Sequence, residues 1–376
     1  MKKYFLVLIM TLALPSLLMG CWGRQELNTV AIIHTIAVDK GKNNHVRLTI
    51  EISELISQGQ APIGLKGKPF YLTSEGETIF EAARDLRNSS SRYLIWGHAN
   101  AIVFSQELAK KGIKKHIDVL MRLRHFRNTM NVFIADGRAD DVFTASIPQQ
   151  SFIAIGLSGL VDAQKSTANT LRITMIQVTQ SLTNKYKALT IPAVQLFQHP
   201  HSNKKSLRTL GLYLFKDDKL HSFMDVEKTK AYVRSINEAQ SAVETLSCGK
   251  KQERITFENV KNQTKIRSEL QGNQPRITLE LFADFNIVDV QCGVKITAKQ
   301  IENWEKQLDL RLKQQVQDLI RYSQNHKIDL LGIGELIHRE HPTVWKLLKN
   351  NWNQKYPHVP FQIVIKSRIE HSSLLS

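Results

Sequence analysis

The first twenty-one residues constrain this chain most. Lys2 and Lys3 form a cationic head. Tyr4 to Leu14 is apolar apart from Thr11, Pro15 and Ser16 interrupt, and Leu18-Met19-Gly20-Cys21 closes the segment. A positive n-region, a short apolar h-region and a small-residue ending are the parts of a secretory signal. The apolar run is too short to span a bilayer, which takes about 20 residues. The ending has the form of a bacterial lipobox, in which diacylglycerol is attached to the cysteine thiol and the peptidase then cuts before it. Gly20 leaves room for the backbone to enter the protease. These features agree, so the lipid reading is preferred to a plain signal peptide with a chance cysteine or an N-terminal membrane anchor. Residues 1–20 are then signal peptide. The mature chain begins at Cys21, carries lipid on its sulfur, and works on the outer face of a cell membrane.

The chain is basic, with 51 Lys and Arg against 34 Asp and Glu. Removing Lys2 and Lys3 leaves 49 − 34 = +15 for the remainder. Such a balance favours anionic partners. Outside a bacterial membrane these are phospholipid headgroups and wall polymers, met through the N-terminal lipid and a basic surface; nucleic acid is not expected there. Most of the lysines read as a solvated surface that keeps the protein soluble. With 376 residues, 42% hydrophobic and 23% charged, the chain suits two or three folded domains.

Strand and helix signals alternate in long blocks. Val30 to Val38 and His45 to Ile52 are β-branched runs around the turn Lys40 to Asn44, and Ser57 to Pro69 is a Gly- and Pro-rich loop. Helices are expected over Gly76 to Asn88, Ile113 to Leu123, Phe152 to Gln164, Leu171 to Leu182 and most of Val226 to Leu246. Gln198 to Ser206 has no apolar residue except Pro200, and the division between halves is placed there. The expected regions are 21–200, long enough for two subdomains, and 205–376. Ile255 to Val260, Ile266 to Leu270 and Ile277 to Val290 read as three strands. Over Ala298 to Asn325, Trp304, Leu308, Leu312, Val316 and Leu319 form one helical stripe. Trp345, Leu348 and Trp352 share a face of a helix begun by Pro342. Both stripes read as core. The fold class that follows is α+β, multidomain, with mainly antiparallel sheets flanked by helices.

A search for chemistry returns little, and no catalytic residue, metal ligand or cofactor site is assigned. In His338-Arg339-Glu340-His341 the histidines are three apart and Pro342 follows, so a zinc helix is not formed. Gly156-Leu157-Ser158-Gly159 lacks the spacing of a nucleophile elbow. Gly332-Ile333-Gly334 lacks the third glycine of a dinucleotide turn. His199 and His201 lie in the polar stretch. Seven cations between Lys110 and Arg127 suggest a basic helix for a membrane or an acidic partner, but a solvated face with its other side in the core is preferred. Cys248 and Cys292 lie in a compartment that permits a disulfide. Nothing in the sequence brings them together, and a chain of this size has core enough without staples, so two free thiols are expected.

Several blocks resemble one family. They are Cys21-Trp22, Glu26-Leu27 and Ala37-Val38-Asp39; then Gly76 to Ala82 with Leu94-Ile95-Trp96-Gly97-His98; then Gly211 to Leu220; and finally Ile328 to Glu335 with His341-Pro342, Trp345-Lys346 and Trp352. Together they resemble the C-subunit lipoprotein of bacterial spore germinant receptors, the Ger(x)C family. Gly23 stands where that family usually has Asp, and Arg122 and Arg124 stand where a mixed acidic and basic cluster is usual. The resemblance implies a protein without enzymatic activity or cofactor, anchored at Cys21 to the outer face of the spore inner membrane. It would assemble with two integral membrane receptor subunits that respond to a nutrient. A solute-binding lipoprotein of a transporter is less well supported, because the strand-dense run Arg254 to Gln291 does not alternate with helices. A lipid-tethered cell-wall enzyme would need a catalytic constellation.

Overall fold

The computed structural model describes residues 3–4, 29–53, 68–123, 126–147, 150–184, 186–198, 200–201, 203–248, 253–272, 274–293 and 295–372. The signal segment apart from Lys3 and Tyr4, Cys21, Trp22 and Gly23, most of the loop Ser57 to Pro69, and also Arg124 and His199, lie outside them. The fold is α+β, built on two mixed sheets.

The first sheet begins with β1 (Val30–Lys40) and β2 (Val46–Ser53), antiparallel around a turn in which Asn43 and Asn44 take positive φ. β3 (Pro69–Gly76) pairs with β2 at the sheet's edge. Helix α1 (Ile79–Asp85) opens on Thr78, whose hydroxyl accepts the Glu81 N–H at 3.1 Å. β4 (Tyr93–Ile95) and β5 (Ala101–Ser105) both run parallel to β1. Next come α2 (Gln106–Lys111), α3 (Lys114–Arg122) and β6 (Asn131–Ala135). The helices α4 (Ile153–Asp162), α5 (Gln164–Thr167) and α6 (Met175–Thr183) follow, and β7 (Thr190–Gln198) adds to β6. The polar stretch after Gln198 connects a hairpin. β8 (Lys205–Lys216) pairs with β7 from Gln198↔Lys205 onward, and β9 (Lys219–Met224) pairs with β8. The strand order is therefore β3-β2-β1-β5-β6-β7-β8-β9, with β4 beside β1. Helices cover both faces, and each face has its own core. This is why β5 and β6 are buried at every position and read as continuous apolar runs.

The second half opens with α7 (Val226–Ser235), and then β10 (Ala242–Ser247), β11 (Arg254–Gln271) and β12 (Gln274–Val290) form an antiparallel meander. The long helix α8 (Ala298–Asn325), α9 (Ile333–Glu340), α10 (Pro342–Leu348) and α11 (Trp352–Lys355) precede β13 (Phe361–Ser372), which pairs parallel with β12. The stripe Trp304, Leu308, Leu312 and Val316 lies buried against this sheet with Phe257, Phe285 and Leu279. Glu305 accepts the Ile369 N–H at 2.8 Å and Asp309 accepts the Ser367 N–H at 2.6 Å, so α8 also holds β13 by its backbone. Trp345, Leu348 and Trp352 form a neighbouring cluster with Ile277, Ile333 and Ile337.

Four expectations are corrected. Helix α6 starts only at Met175, because Thr174 and Gln177 form a capping box there and Ile173 is held by Val132 N–H. Val226 to Leu246 is not one helix. It stops at Ser235, Asn237 has φ 62°, and β10 follows. The two runs before Gln271 are one strand, β11, bent by irregularities near Phe257 and Lys261. Cys248 and Cys292 are disulfide-bonded, with Cα atoms 5.9 Å apart. Register explains the bridge. Ser247 pairs with Arg254, and the Arg254 carbonyl accepts the Gln291 N–H, so the next residue on each flanking strand converges at the end of β11. Core size, on which free thiols were expected, does not decide whether two cysteines meet.

Candidate functional site

Three buried carboxylates organise the turns that the sequence singled out. Asp39, at the end of β1, accepts the N–H groups of Ala139 at 2.7 Å and Asp140 at 3.0 Å, a hundred residues on. Asp329 accepts Ile333 N–H at 2.9 Å, Gly334 N–H at 2.6 Å and Trp352 Nε1–H at 3.1 Å. Glu51, absent from the sequence reading, accepts Thr35 Oγ1–H at 2.6 Å and Ile153 N–H at 2.8 Å. Each sits where a helix or 3-10 turn presents unpaired N–H groups, which favours a negative charge. Burial works against that charge. It pushes Asp39 and Asp329 up to about 6, and raises Glu51 as well.

The glycines around Asp329 serve packing. Gly332 has φ +71° and begins α9 in the left-handed region. A Cβ on Gly334 would lie 2.9 Å from both Trp345 Cη2 and Trp352 Nε1, so the two indoles close directly on the backbone. The histidine cluster is also used. Glu340 accepts Ser268 Oγ–H at 2.6 Å, His341 Nε2 lies 3.1 Å from the Ser268 carbonyl, and the His338 ring stands 5.8 Å from Tyr186. These contacts tie α9 to β11 and to the first half. Ser158 lies on α4 and accepts Asn131 Nδ2–H at 3.1 Å. Among the described residues no three His, Cys, Asp or Glu side chains converge as a metal site.

A buried ion cluster was not legible beforehand. Arg234 meets Glu244 at 2.8 Å and Arg311 meets it at 2.5 Å, drawing α7, β10 and α8 together. Burial would raise the Glu244 carboxyl, but the two guanidinium groups outweigh it and hold the group below its ordinary value. Burial also pushes His34 and His116 down to about 4, helped by His98 and Lys115, so both are neutral packing groups at pH 7.

The cations between Lys110 and Arg127 do not form one patch. Helix α3 buries His116, Ile117 and Leu120 and exposes Lys114, Lys115 and Arg122. Lys111 reaches Asn44 beyond the far end of β1, whereas Arg127 lies 3.4 Å from His98 at the other end. Two open cavities lie along the junction of the halves. One of about 860 Å³ is lined by Lys114, Lys187, Lys216, Lys327, Lys349 and Trp352; one of about 740 Å³ by Gln164, Arg172, Gln177, Asn184 and Tyr232. No histidine or cysteine lines either. No helix among the described residues is long and apolar enough to cross a membrane.

Comparison with known proteins adds a family. Residues 23–196 match the family described as spore germination protein N-terminal domain, and residues 210–373 match spore germination B3/GerAC like, C-terminal. Spore germination protein KC of Bacillus subtilis (strain 168) is 24% identical over 99% of this chain and 97% of its own length. The putative spore germination protein YfkR of the same organism is 25% identical over 100% and 98%. Spore germination protein B3, also from that organism, is 24% identical over 98% and 97%. The crystal structure of the GerBC protein aligns with a TM-score of 0.58 at 18% identity, covering 92% of this chain and 99% of that one. At that identity the likeness is one of fold.

Proposed function

Since the chain belongs to the Ger(x)C family of spore germination proteins, we propose that it is the lipid-anchored, non-enzymatic C subunit of a nutrient germinant receptor. Cys21 carries the lipid, the folded part stands on the outer face of the spore inner membrane, and its partners are two integral membrane subunits. The observation that carries this reading is the match of both family halves, in order, across nearly all of the chain beyond Cys21. Two polar groups of the sequence blocks, Asp39 and Asp329, hold turns by accepting backbone N–H groups.

The test is replacement of Cys21 by Ala in the spore-forming host, with labelled palmitate, membrane fractionation and nutrient-triggered germination followed together. Loss of label, loss of membrane retention and a weakened nutrient response are expected. Unchanged label and retention would refute the anchor. Normal nutrient germination in spores lacking the whole chain and its paralogues would refute the receptor role.

A further inference from the structure

We propose that the end of the first sheet at Val30 is the face that rests on an anionic lipid bilayer. The inference deepens the proposed function and rests on its lipid anchor at Cys21. Only nine residue-to-residue steps separate Cys21 from Val30, the first residue of β1. Fully extended, they reach at most about 30 Å. β1 itself is 11 residues long and spans about 33 Å. The tether therefore favours the Val30 end at the membrane, because an upright sheet with its Lys40 end there would need the whole tether stretched out.

The Val30 end also carries the side chains that such a contact uses. Tyr93 is in register with Val30, and Phe70 is in register with Ile52, which pairs with Ile33. These aromatics are 49% and 50% exposed, a high value for such rings beside a core. Around them stand the exposed Lys68, Arg87 and Arg127. The Arg87 guanidinium lies 5.4 Å from the Tyr93 ring centroid, and the ring of Phe126, next to Arg127, lies 5.4 Å from Trp96. Among the described residues none of these three cations has a carboxylate within ion-pair distance. At the other end Lys40 is paired with Glu107 at 2.7 Å, Arg47 with Glu75 at 3.5 Å and Arg138 with Asp140 at 2.6 Å, while among the described residues Lys42, Lys110 and Lys111 have no carboxylate within ion-pair distance. Exposed aromatic rings among unpaired Arg and Lys suit the headgroup layer, where rings bury their bodies and cations meet phosphate. The two acyl chains of a diacylglycerol hold the chain at the bilayer, and an electrostatic contact would set which face it presents there.

The experiment uses the full lipidated chain on vesicles of phosphatidylcholine with or without phosphatidylglycerol, both carrying a doxyl-lipid quencher. An environment-sensitive fluorophore is attached in turn at Tyr93→Cys, Phe70→Cys and Val243→Cys, the last on the outer face of the second sheet. Cys248 and Cys292 are bridged and do not compete for label. Quenching several-fold stronger at 93 and 70 than at 243, and deeper with phosphatidylglycerol, is expected. In the unlipidated Cys21→Ser chain, Arg87→Glu and Arg127→Glu should each weaken sedimentation with the anionic vesicles by about fivefold or more. Lys40→Glu at the far end should not. Equal quenching at all three positions, stronger quenching at 243, or no quenching while palmitate label shows the lipid in place, overturns the orientation alone. Absence of palmitate label overturns the anchor reading, and with it the basis of this inference.

Discussion

The two sheets solve the same burial problem differently. The first is covered on both faces, and its inner strands are apolar throughout. The second is covered on one face only. Along β12 the buried row Ile277, Leu279, Leu281, Ala283, Phe285 and Ile287 alternates with Thr278, Glu280, Phe282, Asp284 and Asn286 facing outward. They are also fastened differently. Buried carboxylates bind the first sheet to helices a hundred residues away. The second relies on a disulfide, a buried ion cluster and a paired set of indoles. Stability in the first sheet is thus spread over two layers of apolar packing, and in the second it is concentrated in a few side chains.

That contrast can be broken most severely at Trp345. Truncating a buried tryptophan costs about 3–5 kcal/mol, against a total of roughly 5–15 kcal/mol for a domain. Trp345→Ala should lower the melting temperature, protein level and germination together. A variant that melts like the parent yet fails to germinate would make Trp345 a partner contact instead. Next comes the bridge. The 44-residue separation of Cys248 and Cys292 corresponds to roughly 4 kcal/mol in the chain-entropy account. Reducing it, or the pair Cys248→Ser with Cys292→Ser, should shift urea unfolding of the second half well before the first. Two thiols alkylated in denatured, unreduced protein would remove the bridge from the picture.

Asp329 offers a smaller effect with a distinctive sign. Its carboxyl is held up to about 6 in the fold, against 3.8 in the unfolded chain. The native state then binds more protons between these values, so this group's stabilisation is fully present below about 3.8 and is lost as pH rises through about 6. Asp329→Asn should cost roughly 1 kcal/mol as a weakened cap. It should also flatten the pH dependence of the urea midpoint between pH 4 and 7 relative to the parent. Parallel pH profiles would mean that Asp329 titrates normally. Smallest of all, Phe282→Ala on the outward face should change stability by no more than about 0.5 kcal/mol. A larger loss in calorimetry would show that the second sheet has a covered outer face after all.

How legible each region was follows from the same contrast. Helix α8 could be read residue for residue, because its apolar stripe is unbroken and Thr297 caps it at 3.2 Å from Gln300 N–H. β10 could not. Its buried positions are Ala242, Glu244 and Leu246, and a charged residue at the middle one of the three hides the alternation. β3 and β9 were missed because edge strands expose residues such as Phe70, Thr73, His221 and Phe223 and carry no clean pattern. Asp39 and Asp329 stood inside recognisable blocks, but their partners lie on other elements, and a spacing of a hundred residues has no periodicity to read. Glu51 lies within the β-branched run His45 to Ile52, where nothing in the sequence marks a carboxylate for burial. The lipid site proposed at Cys21 is the reverse case, argued from local sequence alone.

Glu305 and Asp309 carry one more consequence. The outer edge of β13 offers backbone donors that a neighbouring molecule's strand would otherwise accept, and open edges are templates for aggregation. Proteins held by lipid on one surface are confined to two dimensions and meet in a common orientation, so an uncovered edge would be sampled repeatedly. With two of its N–H groups already taken by α8, β13 is a poor seed for such stacking, including under the two-dimensional crowding that the proposed lipid anchor would impose.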